Sequence, residues 1–392
     1  MKNKMFIALT LIATSWLVTI HPVSSATETI LYSFTIGDPN NPNAGVILGK
    51  KNNLFGMTTL GGGFNAGAIY EVRPDGGEAI LYSFMDGDDG GDPQGTLVMD
   101  KTGHFYGATC LNGANSAGTV FKVSTTGDFS VLYAFEGGND GSCPNGGMVF
   151  DKLGNLYGTT FRGGTANAGT IFKLTTSGSH TVLYSFGGGA DGIYPNGGLA
   201  IDGKGDLFGT TAQGGVDNFG TLFEFSASRV HTVGWNFSNT ADGAGPNGGL
   251  VLYKGFYYGT TAGGGTGGAG VIYGWAPRRP HSLGIAWAFT GGADGGNPSA
   301  GVVSDKKGNL YGTTNAGGAN FLGTVYKLQV LKAPITETVL HSFGLDPDGQ
   351  FPEGGVVLDK SGNLYGTTSI GGDDDPVCGD NYGCGVVFKI TP

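Results

Sequence analysis

Short apolar runs alternate along this chain with clusters of Gly, Asn and Asp. Nowhere after residue 26 do apolar residues recur at the three-and-four spacing of an amphipathic helix. Runs such as "NLYGTTF" (155–161), "GTIFKL" (169–174) and "VLYSF" (182–186) are rich in β-branched and aromatic residues and flanked by turn residues, the pattern of strands. "DKLGN" (151–155) and "TTSG" (175–178) read as compact turns between antiparallel neighbours.

The runs repeat. The glycine of the "YGTT" phrase recurs at Gly56, Gly107, Gly158, Gly209, Gly259, Gly312 and Gly366, at intervals of 51, 51, 51, 50, 53 and 54 residues. Each unit also carries a relative of "PNGG", at Pro42, Pro93, Pro144, Pro195, Pro246, Pro298 and Pro352. Four short strands in a repeated unit of about 50 residues predict a β-propeller blade, since the coils of a β-helix use much shorter repeats. The expected fold is therefore all-β: one seven-bladed propeller over residues 27–392.

The phrasing "LYSF…DGxxPNGG…DKxGNLYGTT…GGxxxxGTVFKL" resembles the Gloeo-Verruco tandem repeats of the choice-of-anchor exported bacterial proteins, over the whole chain after the leader. The resemblance implies an exported repeat protein and assigns no activity to particular residues. Members often end in a surface-sorting segment, whereas this chain ends "VVFKITP". The strand order is similar to that of NHL-type propellers. On that analogy each blade runs from an inner "GGLAID" strand through "DLFGTT" and "GTLFEF" to the outer "LYSF" strand. Residues 27–34 then supply the outer strand of the last blade and close the ring, which leaves no open edge there. The loop entering each blade and the loop between its second and third strands share one face, the top. The tight "DKxG" turns share the bottom.

Residues 1–26 read as a secretory leader: Lys2 and Lys4, the apolar run "MFIALTLIATSWLVTI", then Ser24-Ser25-Ala26. That run is 16 residues, short of the ~20 a spanning helix needs. No later run resembles it, so no membrane span is expected once the leader is removed. Secreted or periplasmic location follows. The 78 glycines sit at fixed places in the repeat, so they are turn residues rather than linker filler. Losing Lys2 and Lys4 takes the net charge of −10 two units further negative, which argues against nucleic acid as a partner.

Repetition also explains away several tempting constellations. An Asp stands four residues before each of the seven prolines (Asp38, Asp89, Asp140, Asp191, Asp242, Asp294 and Asp348), and its expected task is to fix the loop by bonding its own backbone. Asn145, Asn196 and Asn247 follow the Pro and should crowd the channel mouth, bonding between blades. The paired threonines of "YGTT" read as ordinary strand residues. His180, His231 and His281 occupy matching positions in the bottom turns of three successive units and are expected at the outer rim as surface residues, too far apart for zinc. No HExxH, P-loop or GxSxG motif occurs.

Function on a repeated scaffold should show where the repeat breaks. Glu353 replaces the post-Pro Asn of the last blade and places a carboxylate at the channel mouth, the one weak candidate for a general acid or base. Arg162 sits in a top loop, and with Glu353 is a candidate binding residue. Trp235 and Trp287 replace the Tyr of "LYSF" and are expected to pack between blades, near Trp275. Arg278 and Arg279 read as a solvated bottom turn. Cys110 with Cys143, and Cys378 with Cys384, are the expected disulfides of an exported protein. The enlarged loop "GGDDDPVCGDNYGCG" (371–385) offers Asp373, Asp374, Asp375 and Asp380 as oxygen ligands for Ca²⁺, the cofactor it would suit. The top face as a whole should be acidic, with Arg162 its one base. No other cofactor is expected.

Two functions compete. One is a binding or interaction scaffold for an extracellular ligand, a neutral carbohydrate or a protein. The other is a secreted carbohydrate-active enzyme. A glycoside hydrolase needs two facing carboxylates, and nothing singles out a pair. A lyase acting on uronates wants cations, and Arg162 alone is in place. Binding is the preferred reading.

Overall fold

The computed structural model describes residues 26–35, 39–278, 282–345, 347–372 and 383–392. Its described strands form seven antiparallel sheets of four or five strands, the blades of a propeller, and one two-stranded pair, Gly349–Gln350 with Ile370–Gly371, at the entry to the last blade. Blade 4 shows the plan. Two short inner segments, Ile193–Pro195 and Ala200–Ile201, follow one another end to end along the second strand, Leu207–Gln213. The third strand, Thr221–Phe225, and the outer strand, His231–Asn236, follow.

The inner strand is thus interrupted where the sequence predicts a continuous "GGLAID". The cause is crowding at the axis. A Cβ on Gly197 would lie 2.6 Å from the carbonyl oxygen of Gly248, one on Gly248 would lie 2.3 Å from the amide of Gly301, and one on Gly354 would lie 2.6 Å from the amide of Gly45. The "NGG" step is where neighbouring inner chains touch, and at these three glycines a side chain would collide. The "YGTT" glycine has a different task. A Cβ on Gly158 or Gly209 would lie 2.6 Å from the ring tip of Phe172 or Phe223, so this glycine leaves room for the third-strand aromatic beside it.

The threonines are more than strand residues. The second of each pair faces the third strand, as in Thr160 to Thr170 and Thr211 to Thr221, hydroxyl to hydroxyl at 2.8 Å. In blades 5, 6 and 7 the first reaches the next blade. Thr260 donates to the carbonyl of Ala300, Thr313 to Gly354 and Thr367 to Ala44, at 2.8, 2.9 and 2.9 Å. There a hydroxyl at 0 % exposure recovers in the bond the hydration it loses on burial, whereas the equivalent hydroxyls of Thr159 and Thr210 are buried without a partner.

Between blades lies the core. Tyr106, Val120 and Phe135 of blade 2 pack on Met148, Leu156 and Phe172 of blade 3, and each junction repeats this arrangement. The Phe ending each "LYSF" element is fully buried in all seven blades, from Phe34 to Phe343. Third and outer strands are offset by a one-residue bulge in every blade, as where Ile171 faces Tyr184 but Phe172 faces Val182. A bulge steepens the local twist, which turns the start of each outer strand toward its neighbour.

The ring closes as expected. Thr27–Ser33 pairs antiparallel with Val386–Thr391, Thr27 opposite Thr391 and Ser33 opposite Val386. Ile30 packs into the core between blades 6 and 7, while Leu31 and Tyr32 pack into that between blades 7 and 1.

Candidate functional site: the channel mouth and the blade junctions

The residue after each repeat proline points to one place. Asn43, Gln94, Asn145, Asn196, Asn247, Ser299 and Glu353 all line a cavity of about 450 Å³ on the propeller axis. The rigid proline before it and the small residues after it, Gly-Gly in four blades, leave this position to supply the polar side chain that faces the channel. Deeper in, the lining turns apolar through Val46, Leu97, Met148, Leu199 and Val356. Asn145 donates from Nδ2 to Oδ1 of Asn196 at 2.6 Å, the inter-blade bond its position predicts. Oδ1 of Asn43 and of Asn145 are buried without a hydrogen-bond partner. Glu353 supplies the ring's one carboxylate, and partial burial in the channel pushes that carboxyl above its usual range. No Lys, Arg or His stands among the described lining residues. Chemically the ring offers amide donors and acceptors, one acid and an apolar floor.

Arg162 is not part of that lining. It ends the second strand of blade 3, opposite Ser142, with its exposed guanidinium 5.9 Å from the ring centre of Phe161. Phe161 in turn stacks on Tyr194 of the next blade, centroids 4.6 Å apart and planes 16° from parallel. The structure therefore does not bring the two candidate binding residues together. The stack has a counterpart one repeat earlier, where Cys110 and Cys143 form a disulfide. Both cysteines stand 51 positions before that aromatic pair, a signal carried by the repeat frame rather than by cysteine spacing. A covalent staple at one junction is thus an aromatic stack at the next.

Of the second expected bridge, Cys384 is buried and Cys378 lies outside the described residues. Asp373, Asp374, Asp375 and Asp380, the expected Ca²⁺ ligands, lie outside them too. A second cavity, of about 460 Å³, opens on the bottom face beside Lys204, Lys254 and Arg278.

The repeated aspartates sit at the blade junctions. Each of the six described carboxylates accepts from the loop backbone, as expected, and most also accept from the outer-strand aromatic. Asp89 takes Tyr82 Oη at 2.9 Å and the Met85 amide at 2.8 Å. Asp242 takes Trp235 Nε1 at 3.1 Å. Asp38 lies outside the described residues. Because Asp89 and Asp294 are buried, at 6 % and 3 % exposure, they add little to the expected acidic top face.

The histidines correct the sequence reading. His180 and His231 are not surface residues: each side chain is 6 % exposed. His180 lies flat on Tyr133 at 4.1 Å, with Nδ1 3.2 Å from Asp140; His231 lies on Tyr184 at 4.3 Å, with Nδ1 3.1 Å from Asp191. The bulged outer strand begins against the end of the preceding one, so its first residue faces a junction rather than the rim. Burial lowers the His180 pKa, against the pull of Asp140. At the Asp191 junction burial pushes the carboxyl up, but the bonds from His231, Gly187 and Tyr184 outweigh it and hold it below the usual range. His281 lies outside the described residues, as does Arg279. Arg278 is exposed, as the sequence reading has it, and its guanidinium also reaches back to Asp202 and Asp206 of blade 4, the latter at 3.0 Å. Trp235 and Trp287 pack in junction cores as expected.

The Gloeobacter/Verrucomicrobia repeat matches residues 14–202, 126–291 and 201–392. No curated protein matches the chain. Among solved structures, two described as extracellular domains of BT4673 from B. thetaiotaomicron are similar in fold. One, a one-component system by description, gives a TM-score of 0.58 at 9% identity over 91% of this chain and 39% of its own. The other, described as a hybrid two-component system, gives 0.57 at 13% identity over 94% of this chain and 43% of its own. The chain thus spans about two fifths of those structures. A protein from Bacteroides uniformis described as a 6-phosphogluconolactonase gives 0.55 at 16% identity, over 86% of this chain and 98% of its own. At these identities the likeness is one of fold.

Proposed function

The chain belongs to the Gloeobacter/Verrucomicrobia repeat family, and from that premise we propose that it is an exported binding propeller whose channel mouth takes a neutral, hydrogen-bonding ligand, a glycan segment before a protein loop. The carrying observation is the ring of seven post-proline side chains: amides and a hydroxyl, one carboxylate, and no cation among the described lining residues. Such a ring matches sugar hydroxyls, which donate and accept, and repels anionic chains.

Export rests on the leader over residues 1–26 and on the Cys110–Cys143 disulfide, a bond that persists outside the reducing cytosol. No described helix is long and apolar enough to cross a membrane. The fold is one that extracellular domains use. Within the same reading, Cys378–Cys384 clips the 371–385 loop and its aspartates take Ca²⁺; calorimetry of chelator-treated protein against Asp373, Asp374 and Asp375 changed to Asn checks the second point.

One observation favours the enzymatic alternative: the raised carboxyl of Glu353 would suit a general acid on a glycoside. Against it, the lining holds a single carboxylate where hydrolysis of the usual kind needs two. A glycan and polysaccharide screen that scores both retention and released products separates the two readings. Retention without products, surviving Glu353→Gln, is expected. Products that vanish in Glu353→Gln would make the protein a hydrolase, and no retention of any neutral glycan would remove the carbohydrate reading.

A further inference from the structure

The junction between blades 6 and 7 is built from the repeat's own parts with two of them exchanged. At the junctions on either side of blade 3 an outer-strand Tyr, a loop Asp and the first residue of the next outer strand, a His, meet as Tyr133–Asp140–His180 and Tyr184–Asp191–His231. Each such trio holds one acid and two groups that donate to it. Where the N-terminal strand closes the ring, His341 stands in the Tyr position and Glu28 in the His position, around Asp348. Two carboxylates now share one imidazole.

The spacing exceeds what one imidazole can satisfy by hydrogen bonds and suits a metal. His341 Nε2 lies 3.4 Å from Glu28 Oε2 and 3.2 Å from Asp348 Oδ2. One N–H serves only one of the two carboxylates: Asp348 is at the long end of the usual ~2.7–3.2 Å for such a bond, and Glu28 lies beyond it. Ligand atoms held about 2.1 Å from a tetrahedral Zn²⁺ sit roughly 3.4 Å from one another. The three side chains each offer one ligand atom, all within 4.8 Å, and all are half-buried. The other oxygen of Glu28 is buried without a hydrogen-bond partner. Asp348 is braced from behind by the amides of Gly344 and Gly349, at 2.6 and 2.8 Å, so it is held in place before any ion arrives.

We infer that Glu28, His341 and Asp348 form a site for a divalent transition metal of the zinc class, which staples the closing N-terminal strand to blade 6. An imidazole and two carboxylates are borderline-hard ligands of the kind Zn²⁺ accepts, with a water completing the shell. The negative excess that the exchange of residues creates is what the ion neutralises.

The test uses the full chain after leader removal, stripped with chelator. Zn²⁺ titration should show binding in calorimetry and a raised melting temperature, and Co²⁺ should give visible d–d absorption. The informative control is the double variant Glu28→His with His341→Tyr, which rebuilds the trio seen at Tyr133–Asp140–His180 and so is expected to fold. It should weaken Zn²⁺ binding by about tenfold or more and lose both the thermal shift and the Co²⁺ band. Glu28→Gln, which keeps the side chain's size, should lose them as well. Absence of Zn²⁺ binding in the parent protein overturns the inference, as does binding of equal strength in the folded double variant, which would place the ion elsewhere.

Discussion

Glu337 is the second residue of the outer strand of blade 6, on a buried site, and burial, with the field of Asp294 added, pushes its carboxyl up to about 8. In the unfolded chain it ionises near 4.5. Between those values the folded state carries a proton that the unfolded state has released, so stability is complete below the lower value and falls as pH rises toward the upper one. Glu337→Gln keeps the shape and removes the charge. It is expected to match the parent in urea unfolding near pH 4 and to exceed it by a few kcal/mol at pH 9, on the order of 1.4 kcal/mol for each tenfold change in proton affinity on folding. Equal stability at pH 9 would show that Glu337 ionises freely in the fold. Individual residues were the hardest scale to read from the sequence. His180 meets Asp140 across a gap of 40 positions and a blade boundary, and no local pattern announces that contact. Local chemistry alone placed both histidines in solvent. Glu353 was legible because it breaks a sevenfold pattern, whereas the closing trio was not, because Glu28 enters from the other end of the chain.

Elements were read more completely. Periodicity and turn residues located four strands per repeat because each strand is short, half-apolar and fenced by glycine, and the structure places them accordingly. The sequence missed the split of the inner strand, since the collision of Gly197 with Gly248 belongs to the ring and not to the blade. At this scale the two staples of blades 2 to 4 are open to test. The Cys110–Cys143 bond spans 33 positions and joins the second strand of blade 2 to the segment entering blade 3. Reduction is expected to lower stability by about 2–4 kcal/mol. Mapping of a non-reduced digest should return 110–143 and 378–384; free thiols, or Cys110 joined to Cys384, would contradict the assignment.

Over the whole molecule, closure is the structural claim with the widest consequence. Residues 27–33 complete blade 7, and Ile30, Leu31, Tyr32 and Phe34 fill cores on both sides of it. Deleting 27–34 exposes a strand edge and the apolar faces beneath it. A clearly lower melting temperature and aggregation are expected, and a truncated protein that melts with its parent would refute closure. Seven copies of one phrase made this architecture legible, because a repeat that cannot bury its own face must stack, and seven blades of this kind close.

The functional claim concentrates at the axis, where the same repetition delivers seven side chains to one mouth. It is tested most directly by calorimetry of the best neutral glycan from the screen against the parent and against an Asn145→Ala, Asn196→Ala double variant. Those residues lie at the channel lining outside the junction cores, and removing both deletes their mutual inter-blade bond without leaving either partner of that bond unpaired, so the protein should stay folded with about 1 kcal/mol lost at most. The account predicts that affinity falls about tenfold or more, the loss of one to two hydrogen bonds of ordinary worth. Unchanged affinity in a folded double variant would mean that the ligand binds elsewhere on the propeller.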